Sequence, residues 1–339
     1  MNVVYNVYGY RFSLHGDAPG ALGALASDFA FFAGRPAASP SGASTDGPAV
    51  AIRIRHAQPD YDGLPGLDAT AYTPRNISYR DGAVTIVDYH GRGLGRHDRR
   101  SGDFEITTLD PDLQYEACYL FLLSQLGESL DRRGLHRVHA LGISVRNRAA
   151  LVLLPMGGGK STLGAELLRD PEVRLLSDDS PLIDASGNVF AFPTRIGLLP
   201  AAGMDVPAEY LRTVNRMNFG PKTLVDYRYF AHRVTPSAGP AFVCLGSRTL
   251  AASGRLAPGS RITALRRFCR DCVIGVGLFQ GLEFFFQKSA PEILGQAPVA
   301  VSRLRASLAV IRRSRVLELR LGRDVAANAR LLLEVMKRH

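Results

Sequence analysis

The sequence lacks several features that mark particular classes of protein. It contains no tryptophan and only four cysteines in 339 residues, which are too few and too scattered for a disulfide framework. It has no apolar run of the ~20 residues that a membrane-spanning helix needs. Its first residues show no basic region followed by an apolar stretch, as a secretory signal would. We therefore expect a cytoplasmic protein with reduced thiols and no membrane partner.

Positive charge is present in excess but is unevenly distributed. The formal net charge is +10, and the residues from Leu245 onward contain 17 Lys and Arg against 6 Asp and Glu. Such a region could bind nucleic acid, an acidic partner or the phosphates of a ligand. No recognisable nucleic-acid-binding module accompanies it, so nucleic acid is not an expected partner.

The chain divides into two parts with different patterns. Residues 1–109 predict a small α+β module of short, mainly antiparallel strands, starting with one strand over Val3–Leu14 and interrupted by a low-complexity loop at Gly34–Pro48. Asp110 is a suitable N-cap for a helix that begins at Pro111. We expect a second domain over residues 110–339.

The second part shows an alternation of strands and helices. Arg137–Val145 and Ala149–Leu154 predict two buried strands, and a glycine-rich loop leads from the second into a helix over Lys160–Leu168. Val173–Ser177 predicts the next strand, which ends on two adjacent aspartates. This order is typical of an α/β nucleotide-binding core.

The glycine-rich loop carries the strongest chemical signal. Without Cβ atoms, backbone N–H groups of consecutive glycines can surround phosphate oxygens, and the following helix directs its positive end at the same anion. In such loops the lysine reaches the β- and γ-phosphates and the serine ligates Mg²⁺. The residues predicted to bind the nucleotide are Gly157, Gly158, Gly159, Lys160, Ser161 and Thr162. The strict motif places a further glycine six residues before the lysine, where this chain has Leu154.

Asp178 and Asp179 follow the next strand. Because neighbouring strand residues point to opposite faces, one carboxylate could face the metal while the other faces away, unless a bend brings both inward. A carboxylate here could hold Mg²⁺ or accept a proton from a substrate hydroxyl. Alternatively, one aspartate caps the turn at Ser180-Pro181.

These motifs together resemble the catalytic domain of HPr kinase/phosphorylase and its relatives, over about residues 136–195. Members of that family place a histidine on the strand before the nucleotide loop, as His139 is placed here, and adjacent aspartates after the next strand. The resemblance implies proton transfer and Mg²⁺ handling by Asp178 and Asp179, with His139 lining the same site. It implies a P-loop α/β core, ATP or GTP as the phosphate donor, and a Ser or Thr hydroxyl of a protein or peptide as the acceptor. It also implies a capacity for self-association.

The chain departs from this family at two places. The bifunctional enzymes carry an Arg-Gly-Leu-Gly-type segment downstream of the acids, where this chain has Thr194-Arg195-Ile196-Gly197, so phosphorylase activity is not expected. The N-terminal module does not resemble the family's regulatory domain. Arg195 is a candidate for stabilising charge on the transferring phosphoryl group.

The predicted function and the cysteine pair can each be interpreted in a second way. The sequence predicts a Mg²⁺-dependent protein or peptide kinase in which Lys160 neutralises charge, Ser161 and Asp179 serve the metal, and Asp178 orients or deprotonates the acceptor. A small-molecule kinase, or a nucleotide-dependent regulatory module with little turnover, remains open. Cys269-Arg-Asp-Cys272 has the spacing of half a zinc site, but without a second pair we expect two thiols on or beneath a helix.

Overall fold

The structure, a computed structural model, describes residues 3–34, 49–198, 206–216, 220–276, 278 and 297–338. It separates into two compact units. The first takes the described residues up to 130 and those between 213 and 222; the second takes those of 131–212, of 223–278 and from 297 onward. Of the loop predicted at Gly34–Pro48, residues 35–48 lie outside the described ranges. Within these ranges, no helix combines the length and apolar character that crossing a bilayer requires.

The first unit is built on one mixed sheet. Its described strands are β1 Val4–Val7, β2 Tyr10–Gly16, β3 Val50–Arg55, β4 Ala69–Tyr72, β5 Ile77–Asp81, β6 Val84–Asp88, β7 Leu94–Asp98 and β8 Phe104–Thr107. They are ordered β1-β2-β3-β8-β7-β6-β5-β4. Among the described strands of this first sheet, β2–β3 and β3–β8 are the parallel pairs. The unit also contains helix α1 Pro19–Asp28 and most of helix α2 Pro111–Arg132.

Local chemistry explains how these elements form. Asp110 accepts hydrogen bonds from the backbone N–H groups of Asp112 and Leu113 at 3.0 and 3.1 Å, which confirms the predicted N-cap. The buried face of α2 packs on the sheet, where the rings of Phe104 and Phe121 stack at a centroid distance of 4.2 Å.

One sequence prediction in this unit needs correction. The single strand predicted over Val3–Leu14 is a hairpin of β1 and β2, because Tyr8 and Gly9 adopt positive φ values of 49° and 96° and reverse the chain. The observed division places most of α2, which the sequence assigned to the second domain, with the first unit.

The second unit contains a larger, branched sheet. The described strands that follow α2 are β9 His136–Arg137, β10 Leu141–Val145, β11 Arg148–Leu153, β12 Val173–Ser177, β13 Leu182–Ile183, β14 Val189–Phe190, β15 Arg195–Leu198, β16 Leu211–Arg216, β17 Gly220–Asp226, β18 Ser237–Arg248, β19 Arg255–Pro258 and β20 Arg315–Leu321. Strands β16 and β17 each straddle the boundary between the units. The helices are α3 Lys160–Leu167, α4 Tyr227–Phe230, α5 Arg261–Phe268, α6 Ala297–Arg313 and α7 Val325–Arg338.

Strand β18 is the centre of this sheet. It pairs in parallel with β11 on one side and with β20 on the other, and β14 joins it antiparallel near its start. Strand β10 pairs antiparallel with both β11 and β12. The described residues therefore form a mixed α/β fold, and the α/β class predicted from the sequence is confirmed. The carboxyl ends of β11 and β18, being parallel neighbours, lie at the same edge of the sheet.

The strand predicted over Arg137–Val145 is broken in the middle. Residues 138–140 separate β9 from β10, and their backbone N–H groups find partners elsewhere. Val138 donates to Pro181 O, His139 to Asp271 O and Ala140 to Asp179 O at 3.0, 3.0 and 3.1 Å. This break places His139 between strands, beside the segment that follows β12.

Candidate functional site

The candidate site begins at the loop between β11 and α3. Gly157 and Gly159 adopt positive φ values of 71° and 97°, which side chains with a Cβ rarely tolerate. A Cβ on Gly158 would lie 2.8 Å from Pro155 O, so this position has no room for one. Gly159 is the N-cap residue of α3, and the helix begins at Lys160. The glycines of the motif are therefore required by the loop's own geometry.

Leu154 occupies the position where the strict motif has glycine. Its side chain is fully buried and lies against Gly246 of the neighbouring strand β18. A Cβ on Gly246 would approach Leu154 Cγ to 2.4 Å. The side chain of Leu154 therefore fits because Gly246, 92 positions later in the chain, has no side chain of its own.

Lys160 lies beneath the loop and is 7% exposed. Its Nζ atom is 2.9 Å from Leu154 O, 3.4 Å from Pro155 O and 2.8 Å from His139 Nε2. Burial lowers the pKa of Lys160, against the opposing effect of Asp179, Asp178 and Asp271. The ammonium is thus a partly desolvated cation held at the first turn of α3.

His139 connects Lys160 with Asp179. Its Nε2 atom lies 2.8 Å from Lys160 Nζ and 3.2 Å from Asp179 Oδ1. Nε2 can accept a hydrogen bond from Lys160 when it carries no proton, or donate one to Asp179 when it does, but not both in one protonation state. The proton positions on Lys160, His139 and Asp179 are therefore linked. The side chain of Asp179 is 50% exposed, so its carboxylate is open to solvent.

Asp178 faces the other side of the helix start. It is buried, and its Oδ2 atom accepts a hydrogen bond from Ser161 Oγ at 2.8 Å. The backbone N–H of Gly197 approaches the same oxygen at 3.4 Å. Both aspartates therefore reach the helix start, because β12 ends at Ser177 and the chain bends there. At the turn that follows, Ser177 Oγ accepts the backbone N–H of Ser180 at 3.1 Å.

The remaining predicted residues lie around this cluster. Thr162 is the third residue of α3 and is partly buried. Arg195 begins β15, two residues before the Gly197 N–H that approaches Asp178. The geometry pairs Ser161 with Asp178, whereas the sequence assigned the metal to Ser161 and Asp179. Among the described residues, no group of three or more His, Cys, Asp and Glu side chains is arranged to hold a metal ion.

Two arginines at the site were not found from the sequence. Arg248 ends β18, and its Nη1 atom lies 3.2 Å from where a Cβ on Gly159 would stand. Arg270 lies close enough to Lys160 to lower the pKa of its ammonium. Arg248 belongs to no local motif, and Arg270 lies within Cys269-Arg-Asp-Cys272, where the sequence drew attention only to the two thiols. The parallel pairing of β11 with β18 explains why Arg248 reaches the loop, and that pairing joins residues about 90 positions apart.

Proteins of known family or function offer no further guide: no family model matches the chain, and no curated protein matches it in sequence.

Proposed function

We propose that this protein is a Mg²⁺-dependent kinase that transfers the γ-phosphate of ATP or GTP to a Ser or Thr hydroxyl of a protein or peptide. The observation that carries the proposal is the convergence of five side chains at the start of α3: Lys160, Ser161, Asp178, Asp179 and His139. The resemblance of these same positions to HPr kinase supports the proposal.

The donors at the loop fit a polyphosphate. Gly157 is exposed and Gly159 is partly exposed, α3 directs its positive N-terminal end toward the loop, and Lys160 and Arg248 add two cations. Ser161 and Asp178 supply a hydroxyl and a carboxylate, oxygen ligands of the kind that Mg²⁺ prefers. When bound, Mg²⁺ would offset negative charge on the phosphate oxygens.

The geometry favours exchanging the roles that the sequence suggested for the two aspartates. Asp178 is buried and already bonded to Ser161, so it suits the metal. Asp179 is half exposed and adjoins His139, so it suits the acceptor hydroxyl. The hydroxyl proton would pass to Asp179 as the hydroxyl oxygen bonds to the γ-phosphorus. The bond from that phosphorus to the bridging oxygen would break, and its electron pair would leave with the nucleoside diphosphate.

The test uses purified protein, Mg²⁺ and γ-labelled ATP or GTP, offered to peptides and proteins encoded beside its gene. We expect label on serine or threonine, reduced about 100-fold or more in Lys160→Ala because a charge-stabilising donor is lost. Lys337→Ala is the matched control, since that ammonium pairs with Asp170 and Glu172 instead. The label should be retained in this control.

Two further variants separate the aspartates. Asp179→Asn should abolish transfer while nucleotide affinity in Mg²⁺ is retained, and Asp178→Asn should weaken the Mg²⁺ dependence of nucleotide binding. Tight nucleotide binding without transfer to any acceptor would favour a regulatory module. Label on a metabolite alone would favour a small-molecule kinase. Absence of nucleotide binding would reject the proposal.

A further inference from the structure

A π-helical turn borders the candidate site. Residues Cys269–Ile274, called the π-turn below, continue α5 with more residues per helical turn, and Gly275 closes them with a φ of 79°. Such turns are rare and occur frequently at functional sites. Cys272 in this turn is buried and Cys269 is partly exposed, as expected for two thiols on a helix. The π-turn places Arg270 and Asp271 on the same side of the unit as His139.

Hydrogen bonds fix the π-turn from two directions. The carbonyl oxygen of Asp271 accepts the backbone N–H of His139 at 3.0 Å. Arg303 of α6 donates from Nη1 to Val273 O at 2.9 Å and to Cys272 O at 3.4 Å. The guanidinium of Arg303 is itself held by Asp131, with Nε 3.1 Å from Oδ1. The π-turn is therefore a rigid support whose position is tied to His139.

Arg270 and Asp271 form an ion pair of unequal exposure. Arg270 donates from Nε and Nη2 to the two carboxylate oxygens of Asp271 at 2.6 and 3.2 Å. The side chain of Asp271 is completely buried, whereas that of Arg270 is 40% exposed. The carboxylate thus orients the guanidinium along one edge. The N–H groups of Nη1 and the second N–H of Nη2 form the edge that can bind an external anion. Both charges lie near enough to Lys160 to change the pKa of its ammonium, Asp271 raising it and Arg270 lowering it.

We propose that Arg270 binds the terminal phosphate of the nucleoside triphosphate and that Asp271 is its positioning residue. The proposal rests on the proposed function and adds a residue to the same site. Asp271 orients this guanidinium, and the backbone carbonyl oxygen of Asp271 accepts the N–H of His139. Arg270 is therefore one residue away from a direct contact with the site where the γ-phosphate would be transferred. A planar guanidinium suits phosphate oxygens better than an ammonium does, because it donates two parallel hydrogen bonds. The charge-stabilising role that the sequence suggests for Arg195 thereby passes to Arg270.

Direct binding tests this without an identified acceptor. Titration calorimetry in Mg²⁺ would compare ADP with a non-hydrolysable ATP analogue on the wild-type protein and on Arg270→Gln. Only the triphosphate carries the group that Arg270 contacts, so Arg270→Gln should weaken the analogue roughly tenfold or more while ADP affinity stays within about twofold. Arg266→Gln, an exposed arginine of the adjoining helix, is the matched control and should leave both affinities unchanged.

Two more variants test the positioning role. Asp271→Asn keeps the shape of the side chain but loses the charge that holds the guanidinium, so it should reproduce part of the loss for the analogue and spare ADP. Arg270→Lys keeps the charge without the fork and should recover only part of the affinity.

The possible outcomes are distinct. An unchanged preference for the analogue in Arg270→Gln would overturn the inference while leaving the proposed function standing. Equal loss of both affinities, together with a lower melting temperature, would show a structural role and would also overturn it. Failure of the wild-type protein to bind either nucleotide would reject the proposed function itself, and the inference with it.

Discussion

A single residue step separates the environments of Asp178 and Asp179. Along a strand, neighbouring side chains point to opposite faces, and that rule predicts only one aspartate at the site. The strand ends at Ser177, however, and the two carboxylates reach the helix start from different sides, one at Ser161 and one at Lys160 and His139. The sequence shows that Asp178 and Asp179 are adjacent. It does not show which side chains each aspartate contacts, because those contacts depend on the break between β9 and β10 that positions His139.

Asp110 is a second single residue with a testable role, because it caps the first turn of α2. Its carboxylate caps α2 and also receives a hydrogen bond from Arg92. Burial tends to raise the pKa of Asp110, but Arg92 and the backbone N–H groups of residues 112 and 113 outweigh it and hold the pKa below its usual range.

We expect Asp110→Ala to lower the free energy of unfolding by about 1 kcal/mol, because two N–H groups lose their acceptor. Asp110→Asn keeps an oxygen for the cap and should cost less. Urea denaturation of the two variants measures both values. Equal losses would mean that the charge opposite Arg92, and not the cap, is what stabilises the helix.

Among the elements, the contact between β11 and β18 decides whether the loop can form. The departure from the strict motif at Leu154 is matched by Gly246, which leaves room for the leucine side chain. Leu154 directly follows β11, and Gly246 lies on the parallel neighbour β18, in which Leu245 lies opposite Leu153. A local motif search reports only the missing glycine, because the compensating one lies on another element.

We predict that Gly246→Ala destabilises the protein by roughly 1–3 kcal/mol through overpacking against Leu154. It should also weaken nucleotide binding, since the carbonyl of Leu154 holds Lys160. Leu154→Ala alone should cost about 2–5 kcal/mol by leaving a cavity.

The double variant is the diagnostic measurement. If the two side chains occupy one space, Leu154→Ala combined with Gly246→Ala should cost less than the two single losses added, by about 0.5–3 kcal/mol. Additive losses in denaturation experiments would show that the two positions do not share this space.

For the whole molecule, a buried charged cluster ties distant parts of the second unit together. Asp131, at the end of α2, pairs with His136 Nδ1 at 2.7 Å and with Arg303 of α6, and His136 Nε2 lies 2.8 Å from Ser302 Oγ. His136 is completely buried. Burial tends to raise the pKa of Asp131, but His136 and Arg303 outweigh it and hold the pKa below its usual range.

Acid should therefore destabilise the protein through this carboxylate. The pKa of Asp131 is lower in the folded protein than in the unfolded chain, where it is near 4. The carboxylate therefore stabilises the fold fully above about pH 4, and this stabilisation is lost as the pH falls through the folded-state pKa. At pH 7, Asp131→Asn should cost roughly 3–5 kcal/mol, because it leaves the partly buried guanidinium of Arg303 without its counter-charge. It should also reduce the loss of stability that the wild-type protein shows below about pH 4.

Denaturation at pH 7 and at lower pH measures both effects. Glu334→Gln is the control, since Glu334 is exposed and pairs with Arg338 one helical turn away on the surface of α7, so it should change stability by less than about 0.5 kcal/mol. A wild-type acid response that persists unchanged in Asp131→Asn would assign that response to other carboxylates.

The sequence by itself determined the features that depend on neighbouring residues. The glycines of the loop, the helix that begins at Lys160, the buried strands on either side and the cap at Asp110 all follow from residue type and short-range spacing. The α/β class follows from the order of these elements. Only the tertiary structure decided which distant residues complete the site. His139 owes its position to the hydrogen bond from its N–H to Asp271 O and to the one from the N–H of the next residue, Ala140, to Asp179 O. Leu154 owes its room to Gly246, strand pairing brings Arg248 to the loop, and the π-turn brings Arg270 near Lys160. Hydrogen bonds and packing act between atoms close in space, whereas sequence patterns record only residues close along the chain.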